Sequence, residues 1–246
     1  TTGIQTTFTV TGQGTYTVNN TGLVTFVPVL NYNGIASPIN YTVYDNLGLV
    51  SNIATLTITV VAVNDTPVAK NDVVTTNEDT SITINVVTNA SGLDTDVDGT
   101  VDAATVDLDL ATAGIQKTFS ITGQGTYTID NTGLVTFVPV LNYNGSSTIN
   151  YTVNDNLGLV SNVATLTVTI TPVNDAPVTK NDVATTNEDI SATINVVTNV
   201  LGMDTDIDGT VDATKVDLDP VTTGIQTTFT VTGQGTYTVN NTGLVT

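Results

Sequence analysis

Ala164-Thr-Leu-Thr-Val-Thr-Ile170 decides the fold, because Ala164, Leu166, Val168 and Ile170 fall on one face and the threonines on the other. A period of two belongs to an extended strand with one buried side, since successive side chains leave a strand on opposite faces. Working outward, the same alternation runs through Ser81–Val87, with Ile82, Ile84 and Val86 aligned, and through Gly125–Asp130, with Tyr127 and Ile129 inward. Shorter strands are expected at Thr105–Asp109, Thr118–Thr122, Leu134–Val138 and Ile149–Val153. Between them lie Asp130-Asn-Thr-Gly133, Asn142-Tyr-Asn-Gly145 and Asn154-Asp-Asn-Leu-Gly158, rich in residues that tolerate positive φ in turns. No stretch shows a helical apolar period. Seven or eight short strands in about 110 residues predict an all-β sandwich.

The pattern recurs. Residues Thr1–Thr25 reappear letter for letter at Thr222–Thr246, and a third version spans Ala113–Thr136. Solenoid units run about 20 to 50 residues, so a spacing near 110 marks separately folding modules. Nearly the same phrase stands at each junction, Val63-Asn-Asp-Thr-Pro-Val-Ala-Lys-Asn-Asp72 and Val173-Asn-Asp-Ala-Pro-Val-Thr-Lys-Asn-Asp182. Pro67 and Pro177 lack an amide donor and suit an extended connector. The expected organisation is the back part of one repeat in residues 1–63, a complete repeat in 64–173 and the front of a third in 174–246. Opening and closing in mid-repeat, the sequence reads as a segment of a longer array.

The chain has 23 acidic residues against four lysines, for a net charge of −19, yet 39% of it is hydrophobic. That is enough apolar material for cores, so the charge does not signal disorder. Lys70, Lys117, Lys180 and Lys215 are too scattered to build a phosphate-binding groove, which excludes nucleic acid as a partner. Anionic membranes are disfavoured likewise, and no apolar run approaches the roughly 18 residues of a membrane span. Cysteine and histidine are absent. Disulfides, thiolate chemistry, serine triads and histidine metal sites are therefore excluded. Only an all-carboxylate enzyme site remains, and the aromatic content of 5% leaves little for a glycan-stacking cleft.

Two constellations carry chemistry. The first is Asp94-Thr-Asp-Val-Asp-Gly-Thr-Val-Asp102, repeated as Asp204-Thr-Asp-Ile-Asp-Gly-Thr-Val-Asp212. Carboxylates at Asp94, Asp96 and Asp98, a turn-permitting glycine, the carbonyl of Thr100 and the side chain of Asp102 follow the oxygen-cage logic of a calcium loop. Asp204, Asp206, Asp208, Thr210 and Asp212 repeat it. Where an EF-hand has its bidentate glutamate the loops have Thr105 and Lys215, so the expectation is a calcium loop of a β-protein. A solvated acidic loop held by its own turns is the competing reading. The second constellation gathers at the junctions: Asn174, Asp175, Asn181, Asp182, Glu188, Asp189 and Asp155 at one, Asn64, Asp65, Asn71, Asp72, Glu78, Asp79 and Asp45 at the other. Crowded like charges cost stability unless a divalent cation compensates them. Simple turn capping by Asn-Asp pairs is the alternative.

Phe137-Val-Pro, Asn142-Tyr-Asn-Gly145, Ile149-Asn-Tyr-Thr-Val153, Asp155, Ala164-Thr-Leu-Thr-Val168, Val173-Asn-Asp-Ala-Pro-Val178 and Asn187-Glu-Asp189, in that order, resemble the tandem cadherin-like and bacterial Ig-like repeats of large secreted bacterial surface adhesins. The resemblance implies a tandem array of immunoglobulin/cadherin-like β-sandwich repeats with calcium (Ca2+) shared at each joint. By that likeness Glu188, Asp155, Asn174 and Asp175 would share one site, and Glu78, Asp45, Asn64 and Asp65 the other. It further implies a stalk or adhesive fibre at the extracellular bacterial cell surface, with calcium and neighbouring repeats as partners and glycan or cell-surface ligands reached through other domains. Three other readings weigh less. Alternating threonines, as in Thr118-Phe-Ser-Ile-Thr122, could present a surface to ice or polysaccharide, but threonine is also an ordinary exposed strand residue. Lys70 and Lys180 beside Asn-Asp pairs are more simply salt-bridging than crosslinking. Tyr143 and Tyr151 suit the core or a corner better than ligand stacking.

Overall fold

The computed structural model describes residues 4–246. Its contacts define two compact units, one of residues up to 76, 80–140 and 146–169, the other of residues 77–79, 141–145 and 170–246. The units do not follow the sequence repeat, because two tips of the middle repeat group with the chain that comes after it.

In the first unit the N-terminal fragment contributes the antiparallel sheet β1 (Thr7–Val10), β2 (Gly14–Val18) and β3 (Val24–Pro28). Its other strands are short: β4 (Gly34–Ile35) pairs with β7 (Thr59–Val60), and β5 (Ile39–Tyr41) with β6 (Ala54–Leu56). The middle repeat runs β8 (Asp72–Asn77), β9 (Ile82–Asn85), β10 (Val101–Asp107), β11 (Thr118–Ile121), β12 (Gly125–Ile129), β13 (Leu134–Pro139), β14 (Gly145–Asp155) and β15 (Ala164–Thr171). These make two four-stranded sheets, in the orders β10-β14-β15-β8 and β11-β12-β13-β9. The all-β expectation holds, with a single 3-10 turn among the described residues.

Register explains the core. Phe119 pairs with Tyr127 and Tyr127 with Phe137, while Thr118, Thr128, Thr136 and Thr83 form the adjacent row on the opposite face. Tyr127, Phe137, Ile149, Tyr151, Val153, Ala164, Leu166, Val168 and Ile170 are buried. The Tyr127 hydroxyl donates to Ser147 Oγ at 2.8 Å, so this buried ring keeps its polar tip satisfied.

The expected strands are all present, but β14 is 11 residues long where five were expected. Its counterpart in the N-terminal fragment is split into β4 and β5 around Pro38, which cannot donate to a ladder. Strand β8 had no counterpart among the expected strands. Its pattern is inverted: Asp72 and Thr76 are buried and Val73 is exposed, so apolar alternation points to the wrong face.

Strand β10 leaves register with β14 between Asp102 and Asp107. Lys117 fills that gap: its Nζ donates to the Ala104 carbonyl at 2.6 Å and the Val106 carbonyl at 3.3 Å. Partial burial lowers the lysine's pKa, while the charges of Asp102, Asp107 and Asp130 oppose that shift. Lys117→Met keeps the apolar stem and removes the donor, so chemical denaturation should show a loss of about 1 to 3 kcal/mol, the cost of stranding a partly buried acceptor. An unchanged midpoint would mean that water replaces the ammonium at no cost.

The second unit contains β16 (Ile194–Asn195) paired with β19 (Leu244–Val245), β17 (Thr228–Val231) paired with β18 (Gly235–Thr238), and a 3-10 turn at Ala213–Lys215. The tips 77–79 and 141–145 belong here for a local reason. Glu78 N donates to the Thr171 carbonyl at 2.9 Å and Asn142 N to Asp79 Oδ1 at 2.8 Å.

Candidate functional site

Each linker is pinned to the acidic loop of the repeat that it enters. Val68 and Thr95 exchange both backbone hydrogen bonds, at 2.7 and 3.0 Å, and Val178 and Thr205 do the same at the same distances. Those pairs bring Asp65 and Asp175 onto the loops, where the amide of Asp65 lies 3.3 Å from both carboxylate oxygens of Asp98 and that of Asp175 lies 3.3 and 3.4 Å from those of Asp208. One member of each constellation, Asp65 with Asp98 and Asp175 with Asp208, thus comes together at each linker.

A cleft of about 470 Å³ forms at the first, lined by Asn31, Asp65, Thr66, Val68, Thr95, Asp96 and Val97. The second, about 410 Å³, is lined by the equivalent residues one repeat on, Asn142, Asp175, Ala176, Val178, Thr205, Asp206 and Ile207, with Asp79 and Leu141 added. Asn31 and Asn142 sit in the left-handed region with φ of 60° and 59°, as does Asp79 at 59°. This conformation suits Asn and Asp better than most residues, and it is how the Asn-Tyr-Asn-Gly loops turn towards the linkers.

Within the acidic loops the candidate ligands have separate partners. Asp94 is buried, and its Oδ1 accepts from the Lys70 amide at 2.8 Å. Burial, with Asp72 nearby, pushes its carboxyl up to about 7. Asp204 accepts from Lys180 N in the same way. Asp96 Oδ1 accepts from the amides of Asp98 and Gly99, and Asp206 Oδ1 from those of Asp208 and Gly209. The Thr100 carbonyl accepts from Asn156 N at 2.9 Å. Asp102 Oδ1 takes the Ala104 amide, and Asp212 caps the 3-10 turn through Thr214, whose side chain and amide lower its pKa. Thr210, the matching residue of the second loop, is exposed.

The junction residues also group differently from the resemblance-based expectation. Asp155 pairs with the linker before its repeat: Asn64 Nδ2 donates to its Oδ2, and its Oδ1 accepts from Leu157 and Leu159 at 2.8 Å each. Burial alone would raise this carboxyl, but Asn64 and the amides of Leu159, Leu157 and Gly158 outweigh it and hold the pKa low. Glu78 pairs with the linker after its repeat, its Oε1 accepting from Val173 N at 2.5 Å. Glu188 occupies in the third repeat the place that Glu78 has in the middle one, and it is exposed. Asp45 repeats the turn-capping half of Asp155, accepting from Leu47 and Leu49, whose amides lower its pKa. Asn174 donates to the Asp175 carbonyl. The physical reason for the exchange is chain direction: a strand that starts at one end of a sandwich delivers its far residues to the opposite end.

Among the described residues no three acidic side chains stand as a ready-made metal cage. Three oxygens of the first linker and loop, Asn64 Oδ1, Asp94 Oδ2 and Asp96 Oδ2, are nevertheless buried without a hydrogen-bond partner, a state that is rare because it forfeits solvation. At the second linker the carboxyl of Asp175 is pushed up by burial first, then by the charges of Asp208, Glu78, Asp79 and Asp206. Calcium accepts six to eight oxygens, amide and carbonyl oxygens among them, so this mixed donor set suits it.

Residues 64–172 match the bacterial cadherin-like domain, and residues 2–60 match the repetitive domain of the surface adhesin CshA. The extracellular domain of protocadherin GammaB4 is similar at 15% identity over 70% of this chain and 28% of that one, with a TM-score of 0.37. The chain thus spans about 28% of that structure's length. None of the curated proteins compared is significantly similar. The repeats are cadherin-like β-sandwich modules. Both matched families are structural repeats, the one over residues 2–60 being the repetitive domain of a surface adhesin.

Proposed function

We propose that this chain is a calcium-stiffened extender of an adhesin on the bacterial cell surface, holding a distal binding domain away from the cell. No helix among the described residues is long and apolar enough to cross a membrane. The observation that supports the reading is the crowding at the second linker, where Asp175 lies in the field of Asp208, Glu78, Asp79 and Asp206. Asn64, Asp65, Asp96, Asp98 and Asp155 would hold calcium at the first linker, and Glu78, Asp79, Asp175, Asp206 and Asp208 at the second. The ion would relieve the repulsion and tie each linker to the loop of the repeat it enters.

Calorimetric titration of the whole chain with calcium tests this directly. Heat of binding should appear in the submillimolar to millimolar range used by extracellular modules, and a chain carrying Asp98→Ala and Asp208→Ala should lose most of it. Absence of calcium uptake would remove the proposal's basis.

A further inference from the structure

Residues 4–63 correspond in sequence to the back of residues 64–173, and residues 174–246 to the front. In the middle repeat the sheet β10-β14-β15-β8 takes its two inner strands from the back and its two outer strands from the front. The N-terminal fragment keeps short counterparts of the inner pair, β5 with β6, and among the described residues no strand flanks them. Residues 182–187 and 211–217 correspond to the outer pair, β8 and β10. They form no strand, only the 3-10 turn Ala213–Lys215. A strand gains its ladder hydrogen bonds only beside a partner, and a lone pair of strands is marginal. Each half therefore lacks what the other supplies.

Exposure shows the same split. Tyr151 and Val153 of β14 are fully buried, but their counterparts Tyr41 and Val43 are 51% and 59% exposed. Val106 of β10 is fully buried and its counterpart Val216 is half-buried. Polar partners divide likewise. In the middle repeat the Tyr151 hydroxyl donates to the Lys70 carbonyl at 2.7 Å, beside Asp72 Oδ2 at 2.9 Å. The Asn162 side chain exchanges two hydrogen bonds with the Ala69 backbone, at 2.8 and 3.0 Å, and Thr165 N donates to Asn71 Oδ1 at 2.9 Å. Every one of these contacts crosses from back to front. The back members recur as Tyr41, Asn52 and Thr55, and the front members as Lys180, Asp182, Thr179 and Asn181.

We infer that the N-terminal fragment is a docking surface for the front half of a repeat, filled by residues 174–221 of a second copy of this chain. The lengths agree, since residues 174–221 and 1–63 together span 111 positions against 110 for residues 64–173. The strands between them raise no conflict, because Thr1–Thr25 and Thr222–Thr246 are the same sequence and either can supply the β11 and β12 counterparts. Docking re-forms the four-stranded sheet, covers Tyr41, Val43 and Val216, and gives the Asn52 side chain the backbone of Thr179. Burial of apolar surface and pairing of strand edges drive it. The two faces differ, so the contact is heterologous, and each joined copy leaves one face open for the next.

Sedimentation velocity of the whole chain in EGTA tests this without any contribution from calcium. The 25.5 kDa chain should form dimers and longer species whose share rises with concentration. Val43→Asp puts a charge on a side chain that is exposed in the free chain and covered in the contact, and Val216→Asp does the same on the opposite half. Each variant alone should sediment as a monomer. An equal mixture should form a dimer and nothing larger, because it holds one intact face of each kind. Circular dichroism of each variant should match the parent chain, which separates lost docking from lost folding. A parent chain that stays monomeric up to about 1 mM, association that survives either substitution, or a mixture that fails to dimerise would overturn the inference.

Discussion

Removing calcium should lower the thermal unfolding midpoint of this chain by about 10 to 20 °C. The size follows from linkage: an ion that binds only the folded state at about 100 times its Kd adds about 2.7 kcal/mol, and about 1 kcal/mol moves the midpoint of a domain this size by roughly 4 to 8 °C. The sign follows from the site. Asp175 in its folded position feels Asp208, Glu78, Asp79 and Asp206, and unfolding separates them, so an uncompensated cluster favours the unfolded chain. Scanning calorimetry in calcium and in EGTA measures the difference. Paired substitution of Asp98 and Asp208 by Ala should shrink it, because the carboxylates beside the two linker amides are then missing. Equal midpoints in calcium and EGTA would refute the stiffening role while leaving the fold untouched.

Gly125→Val should cost the middle repeat about 3 kcal/mol or more, seen as a midpoint lowered by roughly 10 to 20 °C. A Cβ at Gly125 would lie 2.5 Å from the Val138 carbonyl oxygen and 2.6 Å from two carbons of the Phe137 ring. The neighbouring strand cannot retreat without breaking the Gly125–Pro139 and Thr126–Val138 pairings, and the ring is buried against Tyr127, with centroids 4.5 Å apart. The N-terminal fragment is built alike: Cβ at Gly14 would meet the Val27 carbonyl oxygen at 2.4 Å and the Phe26 ring at 2.6 Å. Gly123→Ala is the comparison. It has open space around it and suffers only from its φ of 77°, so its loss should be about 1 kcal/mol. If both substitutions cost the same, backbone conformation rather than ring packing explains the Gly-Gln-Gly phrase.

Much of this was legible beforehand. Alternation in Ala164–Ile170 and in Gly125–Asp130 located β15 and β12 because each strand buries one face and wets the other. Strand β8 was not legible, since it buries Asp72 and Thr76 and exposes Val73, and polar residues turned inward leave no apolar period. At the linkers the residue types were readable and the grouping was not. Glu78 and Asp155 lie at fixed sequence distances from both linkers, and only the direction in which β8 and β14 run decides that Glu78 meets Val173 and Asp155 meets Asn64.

By itself the sequence determined the repeat, the all-β class, the exclusion of histidine and cysteine chemistry, and the supply of acidic oxygen. These depend on composition and local periodicity, which survive without knowledge of contacts. Tertiary structure alone decided which oxygens share a site, that Asp94 turns into the interior while Asp96 and Asp98 face the linker, and that Asp72 stands against Tyr151. Those outcomes depend on pairing between residues as far as 95 positions apart in sequence, and burial acts on whatever that pairing brings together.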